Sequence, residues 1–318
     1  MLAKFEEVKK MLICPRSGRS LVQEGESFMP FDDGTGKSGK ICYRTVSGQP
    51  VLVDFDDSVL DENEIFMRDG SSVLQRRQSR LRGWIKDRLL HPDANRLAGR
   101  VAWEFAQKLK AKVKKPRLLM IGSGVKGIGT NVFYDDPDIQ VIGFDIYASP
   151  LTHFIADTHR IPIETGSVDG VWIQYVLEHV LEPWRVAGEI SRVLRVDGLV
   201  YAETPFLQQV HEGPYDFVRF THSGHLWLFR DFTEIKSGIA MGSGVQLLWT
   251  LEHIICGIFR SRRVGQAVKL SLFWLRLLEK IIPIRCGLNN ASSFYFFGSK
   301  ADKPLMPKDI VNYYKRIL

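Results

Sequence analysis

The chain has 318 residues, 45% of them hydrophobic and 25% charged, with a formal net charge of +7. This composition excludes wholesale disorder, and the length suits one α/β domain of ordinary size plus a smaller module and insertions. Four cysteines, Cys14, Cys42, Cys256 and Cys286, lie far apart without a CxxC pair, so neither a disulfide framework nor a complete zinc site is indicated. The first ten residues lack a basic region followed by an apolar core, which points to a cytoplasmic protein. Charge is uneven: residues 76–117 hold fourteen Lys/Arg against Asp87, Asp93 and Glu104, a net of +11, leaving −4 for the remainder.

Residues 1–62 read as short β runs, 12–14, 41–46 and 51–55, with glycine punctuation at 34–39. LICPRSGRSL and ICYRTVSGQPVLVDFD resemble the zinc-ribbon-like activator domain that accompanies some tRNA methyltransferases. Where that family carries a second cysteine three residues after Cys14, this chain has Ser17, and only Cys42 remains of a second pair. Zinc needs about four soft or imidazole ligands, so the module is expected to be metal-free. Residues 63–115 form a basic helical connector. Leu81, Trp84, Ile85, Leu89 and Leu90, then Val101, Ala102, Phe105 and Leu109, recur at helical spacing on either side of Pro92.

From residue 116 onward, β and α segments alternate. Strands are predicted at 117–121, 140–144, 153–155, 170–174 and 199–203. A helix is predicted at 183–194, opened by Pro183 and closed by Asp197 and Gly198. With further strands at 233–238 and 293–298, the expectation is an α/β fold with a doubly wound, mostly parallel, seven-stranded sheet over 116–318. A helical insertion of about 243–290 precedes the last strand.

The first strand of this unit runs into Gly122-Ser123-Gly124-Val125-Lys126-Gly127, a GxGxxG that lets backbone approach a ligand. Asp145 stands about twenty residues on, where a carboxylate grips ribose hydroxyls. To this point a nicotinamide dinucleotide and S-adenosylmethionine are equally well served.

Downstream, Asp157 before Ile161-Pro162, Val168-Asp169-Gly170-Val171, VLEHV at 176–180, and RVLRVDG ahead of a strand occur together. Over roughly 117–238 this set resembles the class I S-adenosylmethionine-dependent methyltransferases, in the branch with the ubiquinone and menaquinone enzymes. The resemblance implies S-adenosyl-L-methionine as cofactor. It puts Gly122, Ser123 and Gly124 beside the methionine moiety, Asp145 on the ribose and Asp157 on the adenine amino group. Gln174 and Tyr175 fall beneath the sulfonium, with Gly127, Ile146 and Thr158 completing the cofactor set. Met120 replaces the acidic residue the family often carries before the glycine turn.

After the fifth strand, PFLQQVHEGPYDFVRFTHSGHLWLF leads into a helix that Thr221 can cap. A hydroxyl acceptor benefits from a general base, and His211, His179 and Asp216 are the candidates, His211 first. Asp216 with Arg219 also reads as a structural ion pair, and His222 with His225 lacks a third metal partner. Leu270, Phe273, Trp274, Leu277, Leu278 and Ile281 repeat at helical spacing among Lys269, Arg276 and Lys280. Such a face packs on its own domain, closes over an acceptor, or makes peripheral contact with the inner membrane surface through 268–284.

Three functions follow. The first is methylation of a hydroxyl on a small molecule, sugar or lipid-linked glycan, since PFLQ…H…PYDFVRFT resembles methyltransferase-domain proteins of bacterial surface-polysaccharide synthesis. The second is RNA methylation through the basic segment 76–117, although Gln174-Tyr175-Val176-Leu177 stands where amino-methylating enzymes carry (N/D)PP(Y/F). The third is a cofactor-binding protein without turnover.

Overall fold

The computed structural model describes residues 1–31, 41–71 and 92–317. The glycine run at 34–39 and the first connector helix, with Leu81 to Leu90, lie outside the described residues.

The amino-terminal segment carries α1 (Phe5–Lys9), the hairpin β1 (Leu21–Glu24) and β2 (Ser27–Pro30), β3 (Thr45–Val46), β4 (Gln49–Leu52) and α2 (Glu62–Met67). The runs expected at 12–14 and 41–46 are mostly single bridges, Leu12 to Ile163, Ile13 to Ser20 and Phe28 to Tyr43. The Cys14 thiol is buried against the Tyr43 hydroxyl at 3.2 Å, and the Ser17 N–H donates to Cys14 Sγ at 3.3 Å.

Next come α3 (Pro92–Lys112), β5 (Arg117–Ile121), α4 (Asn131–Asp135), β6 (Gln140–Asp145), β7 (Phe154–Ala156), β8 (Val168–Gln174), α5 (Pro183–Val193) and β9 (Leu194–Pro205). The chain closes with α6 (His222–Leu228), β10 (Phe232–Met241), α7 (Ser243–Phe259), α8 (Arg262–Ser271), α9 (Ile284–Gly287), β11 (Ser293–Lys300) and α10 (Pro307–Ile317). The sheet order is β10-β11-β9-β8-β5-β6-β7-β4-β3. All seven predicted strands are present, and only β11 runs antiparallel to both its neighbours within that set. The addition is at the other edge, where Val51 and Leu52 of β4 pair in parallel with Ile155 and Ala156 of β7. An exposed strand edge is a row of unpaired N–H and C=O groups, and the amino-terminal segment covers this one, giving nine strands.

Strand residues alternate between two covered faces, as a doubly wound sheet requires. Leu119, Ile121, Val171 and Ile173 pack with α5 and with Phe229 and Phe296. Leu118, Met120, Trp172 and Tyr201 pack under α3 through Val101, Ala102, Phe105 and Leu109. Trp172 stacks on Tyr201 with ring centroids 3.8 Å apart and meets Phe105 edge-on at 5.4 Å. Two of the basic residues at the end of α3 are spent on structure, Lys110 on Asp136 at 2.6 Å and Lys112 on the Asp197 carbonyl at 2.7 Å.

Two boundaries differ from the sequence reading. Helix α5 stops at Val193 and the chain enters β9 at once, because Leu194 already pairs with Val168; Asp197 then takes a left-handed φ of 60° within the strand. The helical repeat over 268–284 is two pieces, α8 and a 3₁₀ stretch Phe273–Lys280, and Lys269 is buried against Glu252 at 2.8 Å instead of facing solvent. Among the described residues no helix is long and apolar enough to cross a membrane.

Thr221 caps α6 by accepting the Gly224 N–H at 3.1 Å. This helix buries both His222 and His225, and burial pushes their pKa values down to about 4 and about 3. Each imidazole is neutral in the folded chain and protonates near 6.5 when unfolded. Their contribution is therefore complete above pH 6.5 and is lost as pH falls toward 4. Thermal melts from pH 7 to pH 4 should show a falling Tm, with a shallower fall in His225→Phe; an equal slope in that variant removes His225 from the effect.

Candidate active site

The carboxyl ends of β5, β6 and β8 open onto a cleft of about 350 Å³. Gly122 turns the chain out of β5 with φ +74°, and a Cβ there would lie 2.4 Å from the Val176 side chain. Both Asp145 oxygens accept backbone N–H groups, from Gly124 and from Ile146, each at 2.7 Å. The carboxylate that ends β6 thus holds the glycine turn that ends β5.

Gly122, Gly127, Asp145, Ile146, Asp157, Thr158, Gln174 and Tyr175 all line the cleft. Ser123 is turned inward, its hydroxyl 3.3 Å from the Phe144 carbonyl, and Gly124 lies under the Tyr147 ring. Gln174 donates to Glu203 at 2.9 Å, while its buried Oε1 has no hydrogen-bond partner and rests where a Cβ on Gly127 would fall, 2.4 Å away. Tyr175 has a left-handed φ of 54° and places its hydroxyl 2.9 Å from Ser293 Oγ. Such backbone conformations in non-glycine residues concentrate at functional sites.

Asp157 caps a short 3₁₀ turn, accepting the His159 N–H at 2.9 Å and His159 Nδ1 at 2.6 Å. His159 Nε2 accepts the Glu182 N–H, so the ring proton sits on Nδ1. The Ser58 hydroxyl, from the amino-terminal segment, donates to the other Asp157 oxygen. Burial opposes the charge on Asp157, but these hydrogen bonds outweigh it and hold the carboxyl below its ordinary pKa. Val59, Leu60 and Ile65 continue the cleft wall from the same segment. Arg160 and Arg185 fasten it by pairing with Asp57 at 2.9 and 2.5 Å.

At the other end of the cleft, His179 and His211 stand with ring centroids 5.0 Å apart. His179 Nδ1 donates to the Tyr215 carbonyl at 2.6 Å; His211 Nδ1 lies 3.4 Å from Asp216. Asp216 is behind the cleft surface, where it accepts the His211 N–H at 3.0 Å and pairs with Arg219. Beneath both imidazoles lies Glu178, fully buried, its Oε1 3.7 Å from His179 Nε2 and 3.7 Å from His211 Nε2. Burial pushes its carboxyl up to about 8, and neither oxygen has a hydrogen-bond partner. The Glu178 carbonyl in turn accepts the Phe217 and Val218 N–H groups, which holds the acceptor loop over the turn at 177–179.

Glu178, Ser58 and His159 carried no role in the sequence reading. Glu178 had a signal, a charge within the apolar run VLEHV. Ser58 had none, being ninety-nine residues from its partner.

The sheet, its glycine turn and the two carboxylates at its strand ends make an α/β, Rossmann-like arrangement whose cleft opens at the carboxyl ends of parallel strands. Residues 119–202 match the family described as methyltransferase domain. The chain is 28% identical over 100 residues to the malonyl-[acyl-carrier protein] O-methyltransferase of Laribacter hongkongensis. That alignment covers 31% of the chain and about a third, 34%, of the relative. Among solved structures it is similar to a SAM-dependent methyltransferase from Archaeoglobus fulgidus, with 14% identity and TM-score 0.44 over 69% of this chain and 99% of the other. It is also similar to Haemonchus contortus phosphoethanolamine N-methyltransferase 2 in complex with S-adenosyl-L-methionine, with 14% identity and TM-score 0.42 over 64% and 52%.

The residues fit that cofactor. The Gly122 turn leaves room where a side chain would intrude, and the unpartnered Gln174 oxygen suits a ligand that carries a sulfonium and an ammonium. Ser58→Ala removes one hydrogen bond to Asp157, a net contribution of about 0.5–1.5 kcal/mol. It should weaken S-adenosylhomocysteine binding roughly threefold to tenfold. Calorimetry measures this, and unchanged affinity would separate Asp157 from cofactor binding.

Proposed function

We propose that the protein methylates a hydroxyl oxygen on a small-molecule, sugar or lipid-linked glycan acceptor. The observation that carries this reading is a single cleft lined by Asp145 and Asp157 at one end and by His179 and His211 at the other. The name of the curated relative, an O-methyltransferase, supports oxygen as the accepting atom.

Bound S-adenosylmethionine supplies an electrophilic methyl and its own leaving group, so the chain's part is alignment and removal of one proton. Asp145, Asp157 and Gln174 hold the cofactor end. With cofactor and acceptor in place, His211 Nε2 would take the proton that the acceptor hydroxyl gives up. Asp216, fixed by Arg219, orients His211 through Nδ1, and the Tyr215 carbonyl does the same for His179. Burial keeps His179 neutral by lowering its pKa.

Labelled-methyl transfer to nucleotide sugars and lipid-linked sugars, read by product mass, tests the acceptor class. With an acceptor found, His211→Ala should lower kcat by about a hundredfold or more while S-adenosylhomocysteine affinity stays within twofold. An unchanged kcat would remove His211 as the base.

The insertion favours an acceptor at a membrane surface. Phe273, Trp274, Leu277, Ile281 and Ile284 are exposed, Ile281 by 76% and Ile284 by 75%, and the same insertion carries exposed Arg260, Arg262, Arg263 and Lys280. Exposed apolar and basic side chains within one segment suit an anionic interface. Gln209 of the acceptor loop donates to Thr250 of α7 at 2.9 Å, which ties the insertion to the site. The protein should cosediment with vesicles containing anionic lipid and less so after Trp274→Ser with Ile281→Ser. Equal partition of the double variant would exclude the surface.

A further inference from the structure

The acceptor end of the cleft contains a group that cofactor binding and proton removal leave unused. Glu178 is wholly buried, both its oxygens lack a hydrogen-bond partner, and one of them sits equally far from the Nε2 atoms of two histidines. A buried carboxyl without a partner costs stability, so its retention points to a ligand.

We propose that Glu178, His179 and His211 form a binding site for a divalent transition-metal cation. Two imidazoles and one carboxylate, with a further position open, make up a common protein donor set for zinc and its neighbours. The three ligand atoms lie within 4.8 Å of one another. Bonds of about 2.0–2.2 Å to a shared ion require separations of roughly 3.0–3.6 Å, so the widest gap closes by about an ångström. His211 can supply that movement, being on a loop with a side chain 30% exposed.

The outer partners support the same reading. Ligating histidines characteristically engage a carbonyl or carboxylate through their second nitrogen, which fixes tautomer and ring orientation. Here Tyr215 O takes His179 Nδ1–H at 2.6 Å, and Asp216 stands 3.4 Å from His211 Nδ1. Both Nε2 atoms are thereby turned toward Glu178.

The site stands on geometry alone, whereas its role rests on the methyl-transfer reading. Without an ion His211 is the base of the methyl-transfer reading; with one held here, His211 would be its ligand and the ion would lower the pKa of an acceptor hydroxyl beside it. Substitution of His211 lowers transfer under either account, so binding and not activity is the test.

The 318-residue chain, freed of metal by a chelator and desalted, is titrated with cobalt(II) chloride, followed by visible absorption, and with zinc chloride, followed by calorimetry, without cofactor or acceptor. Wild type should take up one equivalent with a visible cobalt spectrum free of thiolate charge transfer. Glu178→Gln, His179→Asn and His211→Asn, each confirmed as folded by circular dichroism, should each weaken binding tenfold or more. Failure to bind either metal overturns the site. So does binding that persists unchanged in all three variants, or a thiolate signature pointing to the cysteines. Because no methyl transfer is measured, an incorrect acceptor assignment leaves this result intact.

Discussion

The two backbone N–H groups that converge on Asp145 are the constraint on which the cleft depends. A parallel sheet delivers the ends of β5 and β6 side by side, and each end brings donors that have no partner within the ladder. One carboxylate accepts from both Gly124 and Ile146, which fixes the glycine turn while keeping its concave side clear. Gly122 supplies the positive φ and the missing Cβ that allow the turn. The neighbouring strand end, β8, then brings Gln174 and the 177–179 turn to the same rim.

The half of the cleft with His179 and His211 is held by a different device. Its loop, residues 206–219, has little regular structure, and the Glu178 carbonyl anchors it by accepting from Phe217 and Val218. The same residue that ties the loop from its backbone presents a buried carboxyl to two imidazoles from its side chain. Backbone rigidity and side-chain placement thus meet at one position, beside both imidazoles.

The amino-terminal segment is structurally part of this arrangement. Strand β4 completes the sheet edge at β7, and the chain that follows it delivers Ser58 to Asp157 and Leu60 and Ile65 to the cleft wall. Ser17 contributes its N–H to the Cys14 sulfur, and Tyr43 covers that thiol. The segment's order here comes from pairing and burial against the larger sheet.

The α/β class, all seven strands and the strand-end positions of Gly122, Asp145, Asp157 and Gln174 on the cleft were legible because they obey local rules. Strand periodicity, glycine at a strand-to-loop turn and an acid at a strand end are written within a few residues of one another. What the tertiary structure alone decided was long-range. No spacing brings Ser58 to Asp157, β4 to β7, or His211 to Glu178, since each contact joins segments set by how the sheet is ordered and how the acceptor loop folds back. Helix limits shifted for the same reason: Leu194 finds a strand partner in Val168, and Lys269 finds Glu252, gains that propensity and periodicity do not register. The sequence determined which residues stand at the strand ends, through local backbone and side-chain preferences; the packed structure decided which distant side chains share the cleft with them.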